Sequence, residues 1–304
     1  MKIMRRTITI VLAAVLMVTL LTPVTGKAYA AGTGAVPSGT VIVTMKPPAG
    51  HTGWVKRGDY YYFYFNGTPL KGWQIIGGKW HILNGTTGAL YRVIPQVTFS
   101  GANNKQPKGK VIISTAVPPK YTGWIKRGNY FYHYYNGHPM KGIKKIGGVW
   151  YNLNGTTGAL YRVIGDDMDH KAQRYNSNRS YLVLVSYDAH RVRIYRGQKN
   201  NWERVKNFSC TMGARGTRTP RGTYTIKNKG RYFNTGSRGR CWYWTQFYGN
   251  YLFHSVIYNR NSSPNHIIDG RLGINASHGC IRLKLKNAKW IYDNVPRRTK
   301  VVIY

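Results

Sequence analysis

Acidic residues are scarce in this sequence. Only 8 of 304 residues are Asp or Glu, against 46 Lys and Arg, which gives a formal charge of +38. Sugar cleavage by a carboxylate pair therefore has few residues to draw on. Beyond the first thirty residues no apolar run approaches the roughly 18 residues of a spanning helix. Aromatic residues are abundant: 25 Tyr, 9 Trp and 8 Phe need burial or stacking partners, which argues against a disordered chain. The 35 Gly that accompany them favour short strands and turns over long helices. The length suggests about two domains.

Residues 1–30 read as an export signal. Lys2, Arg5 and Arg6 form a positive start, residues 8–21 are apolar, and Ala28-Tyr29-Ala30 is a small-x-small cleavage site. An uncleaved anchor is the alternative; the expectation is a secreted chain with no stable transmembrane anchor. Removal of Lys2, Arg5, Arg6 and Lys27 leaves a charge of +34. Outside the cell such a charge meets anionic wall polymers and acidic lipids, so electrostatic attraction to the wall is expected, and a nucleic-acid partner is not. The cysteines are Cys210, Cys241 and Cys280, an odd number that leaves at least one thiol over in an exported protein. Cys210 and Cys241 either pair or serve as small core residues.

The chain repeats itself at an offset of 70. Residues 39–94 align without gaps to 109–164, with about 34 of 56 positions identical. Each block has a β-like apolar run, then Gly-Trp-x-Lys-Arg-Gly (from Gly53 and from Gly123), then an aromatic strand ending in Asn66-Gly67 or Asn136-Gly137. Asn-Gly after such a strand signals a tight hairpin. Gly72-Trp73 opens a second half that runs through Gly77-Gly78 and Trp80; the second block has Gly142-Ile143 there, and Trp150 later. These units resemble the cell-wall-binding, choline-binding-like hairpin repeats of surface proteins. The resemblance implies ligand sites lined by aromatic side chains, and Trp54, Trp73, Trp80, Trp124 and Trp150 are the candidates. The competing reading is that these rings only bury one another.

Residues 95–108 read as a spacer and residues 165–179, polar and without periodicity, as a linker. From residue 180 the repeat signature is gone. Residues 181–187 are an apolar strand and residues 191–196 alternate as a strand does. Thr219-Pro220-Arg221-Gly222 is a turn, residues 242–247 and 251–253 are aromatic strands, and residues 300–304 close the chain as a strand. Asn287 is placed to cap a short helix over 288–294.

The chemistry concentrates at Ser277-His278-Gly279-Cys280-Ile281-Arg282-Leu283. A nucleophilic thiol needs a base or cation, oxyanion donors and access. Gly279 allows close approach and offers an N–H beside that of Cys280. His278, two residues from Cys280, would share its face on a strand but stand roughly 7 Å away. His254 ends the Tyr251-Leu252-Phe253 run, where a strand can hold it opposite Cys280, whereas His266 sits in a Ser/Pro/Asn-rich loop. A zinc site from His254, His278 and Cys280 is an alternative by residue type but lacks regular spacing.

Phe253-His254-Ser255 followed by SHGCIRL, with the upstream Thr-Pro-Arg-Gly turn and the closing Val301-Val302-Ile303-Tyr304, resembles the YkuD-type L,D-transpeptidase catalytic domain over residues 181–304. The resemblance implies a β-sandwich with a short helix after the cysteine, so that the whole chain is all-β dominated. It implies a peptidoglycan enzyme that forms 3→3 cross-links on stem peptides without a cofactor or metal. Cys280 would be the nucleophile and His254 the proton donor and acceptor, with the Ser255 main chain orienting His254. His278 and Gly279 would shape the turn and its oxyanion donors, and Arg282 would hold the motif by hydrogen bonds. Hydrolysis of stem peptides on the same scaffold is the alternative outcome, and a non-catalytic wall-binding protein the third.

Overall fold

The computed structural model describes residues 36–101, 105–237 and 239–304. The expected export signal at 1–30 lies outside the described residues. Two compact units are present. One comprises the described residues up to Lys145 with Tyr151–Val163, the other Ile146–Trp150 with Ile164–Tyr304. No helix among the described residues is long and apolar enough to cross a membrane.

The first unit is built of hairpins. Strands Gly53–Arg57 and Tyr60–Phe65 pair antiparallel, and Phe65 then pairs with Thr68 across a two-residue turn. Asn66 and Gly67 both take positive φ, 45° and 79°, which is the twist a two-residue hairpin needs. The second block reproduces this register at the offset of 70, with Gly123↔Tyr134 answering Gly53↔Tyr64. Tyr62 bridges Ala89 as Tyr132 bridges Ala159. A single hairpin cannot bury its own apolar face. The cores are accordingly shared: Trp54 and Phe63 pack with Ile76, Leu83 and Leu90 inside the first block. Trp73 and Ile94 of the first block pack with Ile112, Ile125 and Tyr134 of the second.

Residues 95–108 are not a bare spacer. Strand Gln96–Ser100 pairs antiparallel with Lys108–Ile113, using the Val97/Phe99 alternation. The ligand-site expectation for the tryptophans also needs correction. Trp54 is 3%, Trp73 8% and Trp124 4% exposed, so these rings are core. Trp54 meets the edge of Phe63 at 5.2 Å, and Trp124 meets Tyr151 at 4.9 Å. Trp80 is half-buried against Trp73 and Tyr121. In the second unit Trp150 stacks on His170 at 3.7 Å and donates to Asp167. The exposed rings are instead Tyr60, Phe65 and Tyr91, matched at the repeat offset by Tyr130, Tyr135 and Tyr161.

The second unit is dominated by one mixed sheet. Its central strands run in the order Lys300–Ile303, Tyr181–Ser186, Arg191–Arg196, Glu203–Gly213, Ile281–Leu283, Tyr251–Ser255 and Gly239–Tyr248. The run Leu182–Val185 is apolar throughout because both faces are covered. Val183 and Val185 enter one core with Phe247, Phe253 and Ile281. Leu182 and Leu184 enter another with Met168, Ala172 and Trp202. Burial on both faces removes the in/out alternation.

The second core explains why residues 165–179 are not a loose linker. They contain a helix, Asp167–Ala172, opened by a reciprocal cap between Asp166 and Asp169. Asp169 is buried and accepts from Arg193 at 3.0 Å, Arg204 at 3.0 Å and Tyr195 at 2.9 Å. The late helix runs Leu285–Asn294, one turn longer than expected. Asn287 does not cap it; the cap position is Lys284, without a side-chain bond. Ala288 and Ile291 face the core, and the helix stops at Val295, whose α conformation Pro296 disfavours. Lys229 Nζ closes this end by donating to the carbonyls of Tyr292 at 2.6 Å and Val295 at 2.5 Å.

Candidate active site

Cys280 lies on a turn between strands Asn275–Ser277 and Ile281–Leu283, not on a strand. Gly279 makes that turn at φ +110°, and a Cβ there would sit 2.5 Å from Tyr251 Cε1. No residue with a side chain fits this position without displacing the tyrosine. Ser277 clamps the turn from within: its Oγ donates to the Cys280 carbonyl at 2.6 Å and accepts the Gly279 N–H at 3.1 Å. The Gly279 N–H, expected as an oxyanion donor, is thus already engaged. Gly279 serves the conformation of the turn.

A second loop braces the turn from outside. Thr219 Oγ1 donates to the Gly279 carbonyl at 2.7 Å and accepts from the Gly213 N–H at 3.0 Å. Thr217 Oγ1 donates to the Ser277 carbonyl at 2.9 Å. The Thr-Pro-Arg-Gly segment therefore has a concrete structural use, which sequence alone does not reveal.

Strand Tyr251–Ser255 runs parallel to Ile281–Leu283, with His254 opposite Arg282 and Phe253 opposite Ile281. Continued one step, this register places Cys280 level with Leu252. His254 then stands two positions further along the neighbouring strand. His254 is buried. Its Nδ1 lies 2.6 Å from the Ser255 carbonyl. That contact makes Nδ1 the protonated nitrogen and leaves the Nε2 lone pair as the base. The Ser255 main chain so orients the imidazole, while its Oγ accepts from the Trp242 N–H at 2.9 Å and donates to the Val256 carbonyl.

The electrostatics favour a neutral resting pair. Burial pulls the His254 pKa down to about 4, against the Ser255 carbonyl and with help from the Arg282 charge. Burial also pushes the Cys280 thiol up, opposed by a backbone hydrogen bond at Leu252 and by Arg282. The thiol therefore rests protonated, with Sγ 3.5 Å from the Asn250 carbonyl, and the neighbouring strand carries an imidazole able to take a proton.

Arg282 is buried and donates to Asp269 at 2.7 Å. Arg271 also holds Asp269, by Nε at 2.9 Å and Nη2 at 2.8 Å. The two guanidinium groups, Arg271 foremost, keep the Asp269 carboxyl well below the usual range. Asp269 was not singled out in the sequence, although it is one of only 8 acids. His278, within the turn itself, and His266 are both exposed. No group of three or more His, Cys, Asp or Glu side chains gathers into a metal-binding cluster among the described residues. All three cysteines are free; burial pushes Cys210 and Cys241 up to about 12, which leaves them inert as nucleophiles.

Residues 180–303 match the family model YkuD, the L,D-transpeptidase catalytic domain. YciB of Bacillus subtilis (strain 168), assigned as an L,D-transpeptidase, is 40% identical over 89 residues, which is 28% of this chain and 46% of the relative. The chain thus spans about half the length of the curated relative it matches. Among solved structures, a fused Zn-dependent amidase/peptidase/peptidoglycan-binding domain-containing protein of Clostridium acetobutylicum is 37% identical, with 44% of this chain and 57% of that one covered at a TM-score of 0.38. An L,D-transpeptidase of Mycobacterium smegmatis is 23% identical, with coverages of 41% and 58% and a TM-score of 0.32. The segment 180–303, which carries the Cys280 turn and His254, is thus the part of the chain that matches the L,D-transpeptidase catalytic domain.

Proposed function

We propose that this chain is a secreted peptidoglycan L,D-transpeptidase that forms 3→3 cross-links between stem peptides. The observation that carries the reading is the clamped turn presenting Cys280 one strand away from a buried, neutral, carbonyl-anchored His254. His254 Nε2 takes the thiol proton as Cys280 Sγ attacks the carbonyl between stem residues three and four. The same proton goes to the leaving amine of D-Ala, and a thioester remains. An amine from a neighbouring stem attacks the thioester, passes its proton through His254, and the thiol is restored. Water in place of the amine gives a shortened stem instead of a cross-link.

Retention on the wall falls to the hairpin unit and to the basic charge. Support comes from the exposed aromatics repeated at matched positions, Tyr60 with Tyr130 and Tyr91 with Tyr161. Exposed aromatic faces stack on sugar rings or attract cations. The deciding experiment is mass spectrometry of purified muropeptides incubated with the protein. A dimer lacking one D-Ala establishes transpeptidation, tripeptide alone establishes hydrolysis, and unchanged muropeptides reject the reading.

A further inference from the structure

A cleft of about 640 Å³ opens beside the catalytic turn. Arg215, Arg218 and Arg221 line it, together with Thr219 and Asn275, and the one acid in its wall is Asp188. Asp188 reaches Arg221 only at 3.9 Å, and both side chains are largely exposed. Arg221 also lies over the Tyr187 ring, 5.2 Å from its centroid. Neither Arg215 nor Arg218 has an ion pair or hydrogen bond among the described residues.

Acids are scarce in this unit and are taken up elsewhere. Asp166 and Asp169 serve Arg193 and Arg204, and Asp269 serves Arg271 and Arg282. The cleft arginines share one concave surface, where like charges are relieved by an anion. A guanidinium fork matches a carboxylate in two parallel hydrogen bonds. The loop that carries the arginines is also fixed, because Thr217 and Thr219 tie it to Ser277 and Gly279. A preorganised site loses less on binding.

We infer that this cleft is a carboxylate subsite, in which Arg215 and Arg218 hold a free carboxylate of the peptide presented to Cys280. The inference rests on the reading of Cys280 as an acyl-transfer nucleophile. A peptide is favoured over a phosphate-bearing wall polymer by position. Thr219 is both a wall of the cleft and the brace of Gly279, and Asn275 belongs to the strand that leads into the catalytic turn. An anion held here is held against the reacting turn, which retention on a polymer does not require.

The test is calorimetric binding of two tetrapeptide stems, one with free carboxylates and one amidated, to the full chain carrying Cys280→Ala. The free form is expected to bind about tenfold more tightly at low salt, an advantage that shrinks with ionic strength. In Arg215→Gln/Arg218→Gln on the same background the ratio of the two affinities falls to near one. Asp188→Asn increases it. An equal loss for both peptides, or an unchanged ratio, overturns the subsite. Loss of binding to a glycerol-phosphate oligomer with the peptide ratio intact assigns the cleft to wall phosphate and also overturns it. Acyl-enzyme formation by the wild-type chain is followed in parallel by mass spectrometry. An acyl-enzyme without a carboxylate preference leaves the enzymatic reading standing and removes the subsite; a carboxylate preference without an acyl-enzyme does the reverse.

Discussion

Replacing Thr219 by Val removes one hydroxyl and almost no volume. In the structure that hydroxyl satisfies two backbone groups, the Gly279 carbonyl at 2.7 Å and the Gly213 N–H at 3.0 Å. Thr219 is buried, and valine can offer neither backbone group a hydrogen bond. A buried backbone group left without a partner costs about 1–3 kcal/mol. With two such groups and some relaxation of the loop, the variant should lose about 2–4 kcal/mol of stability. The loss is directed at the turn that presents the thiol. The rate of Cys280 alkylation and of acyl-enzyme formation should therefore fall by at least tenfold, while Thr219→Ser keeps both close to the parent. Urea unfolding followed by near-UV circular dichroism reads the first quantity, and timed mass spectrometry of the labelled protein reads the second. A Thr219→Val protein within about 0.5 kcal/mol of the parent that alkylates at the parental rate would refute the brace.

Cys280→Ala should abolish acyl-enzyme formation, whereas Cys210→Ser and Cys241→Ser should retain it; residual turnover above about a hundredth in Cys280→Ala would remove Cys280 as nucleophile. His254→Ala should lower turnover by roughly 10²–10⁴, far more than His266→Ala, and the reverse order in paired assays would reassign the base. The low His254 pKa also sets a pH signature: the acid limb of the acylation rate should lie near pH 4 rather than 6.5. Stability should fall as pH drops from about 6.5 to about 4, because the unfolded imidazole binds a proton that the buried one refuses; a pH-independent melting profile in that window would count against the burial argument. Asp169→Asn leaves Arg193 its Asp166 partner but removes the buried charge that Arg193 and Arg204 share, and should cost about 1–3 kcal/mol in denaturant titrations.

The sequence announced the parts of the site that sit in consecutive residues. Ser277 to Leu283 and Phe253 to Ser255 could be read because the chemistry needs those residue types side by side. Braces brought in from a distance could not. Asp269 meets Arg282, and Thr219 meets Gly279, through pairings that only the sheet creates. The hairpins were legible because Asn-Gly and Gly-Gly fix their own backbone twist. Which face of each hairpin is buried was not, since Trp54 and Tyr60 carry equal aromatic character and differ only in what stacks against them. The helix at Asp167–Ala172 was missed because it is shorter than two turns and gives no periodicity. Its Asp-x-x-Asp start was the available signal.

Because the first block lends its second half to the core of the next, the hairpin unit has a growth rule. Trp73 and Ile94 meet Ile112 and Ile125 across a junction that any further copy inserted at the same 70-residue step would recreate. Such an array behaves as a one-dimensional lattice, with one increment of free energy per block and one per junction. Genes encoding such a chain can lengthen or shorten it by whole blocks without exposing a new core. The spacing of its exposed tyrosines thus becomes a quantity that evolution can change in fixed steps, independently of the chemistry at Cys280.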